Sequence, residues 1–305
     1  MSPFELKKRR KDERQLGVQF LLDGIRVALT NVTDKEKKLI DVEYHEANEW
    51  SQQKTFLERK IAEFNLHQTP TTVLIPQSDY QIFLIEQALV PGEEKREAVR
   101  WRIAEYIDFP VEEAVVDYLE VPQKNKESTS ALTYVVVTRK SIIDDYIKNI
   151  KTLGLSLGAI DICQSALREI AFQLDDADVG QALLHIEDTK SYIILFKQRT
   201  MYMMRDIDLG YQHIKEATEL HDLALEIQRS IDYCSSNLKN AGISRIVLTP
   251  LPERKTELLS CLSNILGLPV RVISYSEFMC DTEKLTINQA NNSTFVIGAA
   301  ISTAL

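Results

Sequence analysis

The pattern of apolar runs along this chain predicts an α/β protein built from two similar lobes. Three observations carry the expectation. Gly17–Leu29 sets two apolar runs on either side of Asp23-Gly24, Ala182–Arg205 repeats that design far downstream, and helical and extended patterns alternate after each. In the first segment Asp23-Gly24 suits a tight hairpin turn, because both residues tolerate positive φ. In the second, Ala182–Ile186 and Tyr192–Phe196 flank a polar break at Glu187–Lys190.

The remaining elements follow in order. Thr71–Ile75 reads as a buried strand stopped by Pro76. A helix beginning near Glu94 would place Val99, Ile103 and Tyr106 on one face. Leu132–Val137 is a second apolar strand, after which Ser141 opens a helix with Asp144 as its capping-box partner. Ile143, Ile147 and Ile150 line that helix, and Gly154 closes it. Met201–Met204 alternates at strand spacing and reads as core filling. Thr218–Asn240 is a long helix with Thr218 as N-cap, ending before Gly242. Ile246–Thr249 is a strand, and Glu253–Leu266 a helix with Gly267 and Pro269 just past its end.

Composition narrows the function. At 305 residues and 44% apolar content the chain can bury a large core. A net charge of -9 argues against nucleic-acid binding, which needs a basic face. The exception is Lys7, Lys8, Arg9, Arg10, Lys11 and Arg14, a solvated tail or a contact for anionic lipid. No apolar stretch approaches the ~18–20 residues of a membrane span, and Leu16–Leu29 is interrupted by Asp23 and Arg26. No apolar block follows the N-terminal charges, so a secretory leader is not expected. Cys163, Cys234, Cys261 and Cys280 are scattered, which indicates neither a disulfide framework nor a zinc site and suits a reducing compartment. His45, His67, His185, His213 and His221 lie too far apart for a local metal motif. Asp175, Asp176 and Asp178 ahead of Gly180 read as a solvated linker rather than a paired-acid site.

One stretch is more specific. Glu97-Ala-Val-Arg-Trp-Arg-Ile-Ala-Glu-Tyr-Ile-Asp-Phe-Pro110, followed by Glu112, Glu113 and Val116-Asp-Tyr118, resembles the PilM family of type IV pilus assembly proteins. Leu153-Gly-Leu155, Ala159–Ile162 and Leu225–Ile231 extend the likeness, which looks closest to the MshI-type proteins of mannose-sensitive hemagglutinin (MSHA) pilus biogenesis. The resemblance implies an actin-like, RNase H-like ATPase fold related to FtsA. It divides the chain into a basic tail at 1–15, a first lobe at 16–78 and 157–179, an inserted α/β subdomain at 79–156, and a second lobe at 180–305.

Against the family's nucleotide loops this sequence departs. The first phosphate loop should read Asp, apolar, Gly, a polar run, then Lys; Gln19, Leu21 and Arg26 stand at those places. The second should carry Asp and Gly, where His185 and Glu187 stand. The adenosine-side strand should run into glycines and meets Pro250 instead. Side chains block the approach of backbone N–H groups to phosphate, and proline has no N–H to offer. Gly24, Arg26, Thr189 and Gly298 are retained. The expectation is a pseudo-ATPase with no catalytic residue, cofactor or metal. An active actin-like ATPase and an FtsA-like filament protein are the alternatives.

The resemblance further implies a cytoplasmic scaffold, peripheral at the inner face of the inner membrane. It would grip the N-terminal tail of a PilN- or MshJ-like single-pass partner in a groove between the first lobe and the insertion. The pilus assembly ATPase or platform protein would be further partners. Arg100, Trp101, Tyr106, Ile107 and Phe109 are the candidate anchors, since aromatic and Arg side chains dominate interface energetics. Their alternative role is to pack the inserted subdomain.

Overall fold

The computed structural model describes residues 13–33, 35–88, 92–122, 130–174, 179–214, 217–238, 242–251 and 255–302. The basic run at 7–11, the acids Asp175, Asp176 and Asp178, and residues 252–254 lie outside the described residues.

β1 (Arg14–Phe20), β2 (Gly24–Val32) and β3 (Lys37–Glu46) form an antiparallel meander, and α1 (Trp50–Phe64) returns the chain to β4 (Pro70–Leu74), parallel to β1. The chain then leaves this sheet for β5 (Gln81–Ala88), α2 (Gly92–Ile103), β6 (Ala114–Glu120) and β7 (Ser130–Arg139). It re-enters through α3 (Lys140–Thr152) and β8 (Ser156–Asp161), followed by α4 (Cys163–Gln173). The second half runs β9 (Gly180–Ile186), β10 (Ser191–Lys197), β11 (Thr200–Ile207), α5 (Ala217–Asn237), β12 (Ile243–Leu248), α6 (Lys255–Leu266) and β13 (Val270–Val272). It ends in α7 (Ile287–Asn292) and α8 (Thr294–Ile301).

The sheet orders are β3-β2-β1-β4-β8 and β11-β10-β9-β12-β13. Both have the same pattern: two antiparallel pairings, then two parallel ones. The central strands are buried along most of their length, from Leu16 to Phe20 in β1 and throughout β9, as apolar runs covered on both faces must be. β5, β7 and β6 make a separate antiparallel sheet over a small core of Ile85, Val99, Ile103, Val116, Val135 and Val137.

Several local expectations are corrected. The first hairpin does not turn through left-handed residues at Asp23-Gly24, neither of which has positive φ. Phe20 pairs with Ile25, and the four-residue loop between them is closed by Leu21 N–H donating to the Gly24 carbonyl at 2.9 Å. The left-handed turn sits instead between β10 and β11, at Gln198 (φ 52°) and Arg199 (φ 51°). α3 starts at Lys140 with Arg139 as an N-cap that makes no side-chain bond, so Ser141 and Asp144 form no capping box. Thr218 lies inside α5 rather than capping it. Tyr106 falls beyond the end of α2. α3 buries its Ile150 in the first-lobe core, with Leu153 and Leu155 just after it. α3 therefore occupies the place in the first lobe that α6 holds in the second.

The last helix returns to the first lobe. α8 packs on β1, β2 and α4, and Thr30 Oγ1 donates to the Ala300 carbonyl at 2.5 Å. At Gly298 a Cβ would lie 2.1 Å from the Ala166 carbonyl oxygen of α4. The two helices meet backbone to backbone there, which only glycine permits.

Candidate functional site

The carboxyl ends of β1 and β9 place two loops side by side. Ile186 pairs with Ser191 as Phe20 pairs with Ile25, and Glu187 N–H closes its loop on the Lys190 carbonyl at 2.8 Å. The shared register sets Gln19 opposite His185 and Leu21 opposite Glu187 as equivalent positions of the two lobes.

Side chains and neighbouring segments occupy both loops. Gln53, on α1, spends its amide nitrogen on the carbonyls of Leu21 (3.0 Å), Gly24 (3.0 Å) and Ala47 (3.1 Å). The second loop is covered by the turn after β11: Tyr211 N–H donates to Glu187 O at 2.9 Å and Gln212 N–H to Asp188 O at 2.8 Å. Gly210 makes this approach possible, since a Cβ there would meet Glu187 O at 2.4 Å. Beneath the loops, buried Gln19 donates to Cys163 Sγ at 3.3 Å, and buried His185 shares a hydrogen bond with Thr249 Oγ1 at 2.8 Å. The His185 ring meets Phe295 edge-on, 4.7 Å between centroids.

Arg26 joins the two sides. Its Nη1 lies 3.4 Å from Gln19 Oε1 and 3.3 Å from Glu187 Oε1, and Tyr192 OH donates to Glu187 Oε2 at 3.4 Å. Burial raises the Glu187 carboxyl above its usual range, against the pull of the Arg26 charge. Burial first, and Arg26 second, depress His185 to about 3, so its ring is neutral at physiological pH. Burial also pushes the Cys163 thiol up. Pro250 stands past the end of β12, where its carbonyl accepts from Asn291 Nδ2 at 2.8 Å.

A larger opening lies on the other side of the insertion. A groove of about 960 Å³ runs between β5 and β11, with Tyr134 of β7 and Tyr233 of α5 among its walls. β5 and β11 each end their sheet. Four consecutive residues of each strand, Gln81–Leu84 and Met203–Asp206, line the groove. Successive strand side chains point to opposite faces, so a wall of four in a row presents the strand's edge. Tyr134 OH accepts from Met204 N–H at 3.2 Å. The floor is polar: Gln164 Nε2 donates to Asp206 Oδ1 at 2.9 Å, Tyr80 OH donates to Gln164 Oε1 at 2.7 Å, and Gln77 bonds both Asp206 and Lys190. A second pocket of about 260 Å³ lies between the start of α1 and α3, lined by Phe20, Trp50, Gln53, Asp79, Ile142, Asp145, Tyr146 and Asn149.

The five candidate anchors divide. Arg100 donates from Nε (3.1 Å) and Nη2 (2.8 Å) to the Val111 carbonyl, a structural clasp. Ile107 and Phe109 pack on the insertion's core, with the Arg139 guanidinium 4.1 Å from the Phe109 centroid. Trp101 is 65% exposed and lines neither opening. Tyr106 is 46% exposed and lies 5.6 Å from Phe83, a wall residue of the large groove. The residues that build the openings, Met203, Asp206, Gln164, Trp50 and Asp79, carry no local motif that would single them out.

No protein-family profile matches this chain, and no curated protein matches it in sequence. Solved structures do match in fold. A PilM-PilN type IV pilus biogenesis complex aligns over 96% of this chain and 97% of its own, with a TM-score of 0.69 at 15% identity. A Bacteroides thetaiotaomicron protein with actin-like ATPase fold and unknown function aligns over 93% and 94%, with a TM-score of 0.51 at 11% identity. The chain has the two-lobed actin-like fold, with a small α/β subdomain inserted in the first lobe.

Proposed function

We propose that this chain is a scaffold of a type IV pilus assembly machine, of the MSHA type, and that it holds partners without hydrolysing nucleotide. It captures the N-terminal cytoplasmic tail of a PilN- or MshJ-like membrane protein and works at the inner face of the inner membrane. Among the described residues no helix is long and apolar enough to cross a membrane; in this reading contact with the membrane runs through the partner or the basic segment at 7–11.

The observation that carries this reading is the open groove whose walls are two sheet edges, one of the insertion and one of the second lobe, a different place from the cleft between first lobe and insertion that the resemblance implies. Strand edges present N–H and C=O groups, of which Met204 N–H is already held by Tyr134 OH, and an extended peptide laid between them gains main-chain hydrogen bonds while its side chains sample the pockets. Leu84, 40% exposed, gives that groove an apolar lip. The loops at the head of the lobes support the second half of the proposal. Arg26 and Glu187 meet where phosphates would sit in the fold's ATPases, Glu187 would repel them, and the loop backbones are already bonded to Gln53, Tyr211 and Gln212.

Two measurements test it. Calorimetric titration with Mg-ATP is expected to give no saturable heat, and tight binding would restore the active-ATPase reading. A synthetic PilN-like tail peptide from the same genome should be retained by the immobilised full chain above a scrambled control. Equal retention of the two peptides would end the scaffold reading. The identity of the adjacent genes checks the assignment to an MSHA-type pilus.

A further inference from the structure

The two edges that wall the large groove are not equivalent. On β11 the Met204 N–H points out of the sheet and is taken by Tyr134 OH at 3.2 Å. Outward positions of an edge strand recur at every second residue. At the next one, Asp206, the side-chain amides of Gln77 and Gln164 cover the carboxylate, Gln164 Nε2 at 2.9 Å. β5 carries no such cover. Among the described residues no hydrogen bond beyond the ladder to β7 reaches the backbone of Gln81–Leu84. Its side chains alternate: Phe83 and Ile85 turn to the insertion's own core, Ile82 packs towards the second-lobe core that holds Met203 and Met204, and Leu84 is 40% exposed. A strand laid along β5 would extend both faces, one towards Tyr106 and the other towards Met203 and Met204. The insertion's sheet has only three strands, so a fourth would add to its stability.

Charge narrows the occupant. Lys190, Arg205 and Arg229 line the groove against one acid, Asp206. Lys190 faces Asp208 at 3.5 Å, but Arg205 (2.5 Å) and Arg229 share a single carboxylate, Glu226. The α5 rim therefore keeps a positive charge in excess, with the Arg229 side chain 69% exposed. We infer that the groove takes an extended segment as a fourth strand on β5, apolar at every second residue and carrying an Asp or Glu towards Arg229. β11 lends it side-chain walls and no main-chain pairing. The inference rests on the scaffold reading above and gives the captured tail a chemistry. Its bound stretch is apolar and acidic, and the Lys and Arg that flank a membrane span on the cytoplasmic side stay outside the groove.

The test is amide hydrogen exchange of the full chain with and without a synthetic PilN-like tail peptide from the same genome. Alternate amides within Gln81–Leu84 should exchange about tenfold more slowly in the complex, while those of β11 stay as they were. Tyr134→Phe frees the Met204 N–H and should leave affinity within about twofold, because the occupant does not pair there. Replacing every Asp and Glu of the peptide by Asn and Gln should weaken binding about threefold, and Arg229→Gln should abolish that difference. Protection that appears on β11, or none on β5 while the native peptide binds, overturns the strand addition and leaves the scaffold reading standing. A bound stretch without an acid, or one whose neutralisation leaves affinity unchanged, overturns the charge assignment. A native peptide that binds no better than its scrambled control ends both the inference and the reading beneath it.

Discussion

The two lobes share a strand order, a hairpin register and a four-residue loop, yet they hold that loop by different means. In the first lobe a side chain from the adjacent helix, Gln53, gathers the loop carbonyls, and Leu22 at the tip is 87% exposed. In the second the backbone of the turn at Gly210 does the same work, and the tip is charged. At the buried position beneath, an amide in one lobe matches an imidazole in the other. Topology fixes where the loops go, while their local chemistry is independent in each half. Substitutions can therefore separate what the lobes share from what each has acquired.

The largest effect should come from what they share. Gly298 lets α8 of the C-terminal half lie against α4 of the first. Gly298→Ala would put a methyl 2.1 Å from the Ala166 carbonyl, and neither backbone can yield without moving its lobe. A loss of about 3 kcal/mol or more in denaturant unfolding is expected, with both lobes melting together. Independent melting would show that the spine is not common to them.

Next comes the unequal pair Gln19 and His185. His185 has an ordinary value of 6.5 and is held near 3 by burial, so the unfolded chain takes up a proton over a range where the folded one does not. Stability should fall as pH drops from 6.5 towards 3, by about 2 kcal/mol at about pH 5. His185→Gln would make the lobes alike at this position and remove that part of the slope, whatever it does to stability at neutral pH. A pH-stability profile with unchanged slope would refute the assignment.

The bridge between the lobes is smaller. Arg26 and Glu187 side chains are 18% and 28% exposed, so solvent screens part of their attraction. A double-mutant cycle with Arg26→Met and Glu187→Gln should give a coupling of about 1 kcal/mol. Zero coupling would mean that the lobes meet there without holding each other.

Much of this was legible in the sequence. The repeated hairpins were visible because β1 and β9 are apolar along their length, and the places of Gln19, Leu21, His185 and Glu187 came from the family resemblance, which the strand register matches. The turn geometry was not: Asp23-Gly24 suggested a two-residue turn, but pairing of Phe20 with Ile25 leaves four residues in the loop, which need no left-handed φ. The openings were hidden for another reason. Met204 meets Tyr134 and Asp206 meets Gln164 across separations of 70 and 42 residues, so the groove exists only once the insertion has docked on the second lobe. The stretch at 97–110 stood out as a motif, yet Arg100, Ile107 and Phe109 mainly hold their own subdomain together.

The smallest expected effect concerns Leu22. An apolar side chain 87% exposed at a loop tip contributes little to the fold, because the water it displaces is nearly the same folded or unfolded. Its counterpart by register in the second lobe is Asp188, also exposed. Leu22→Asp should therefore change unfolding free energy by no more than about 0.5 kcal/mol. If it does, the tip is tolerant and its leucine must be explained by something the isolated chain does not contact. A larger loss would instead place Leu22 in the folding of the hairpin itself, and the two loops would differ in their role in stability as well as in their chemistry.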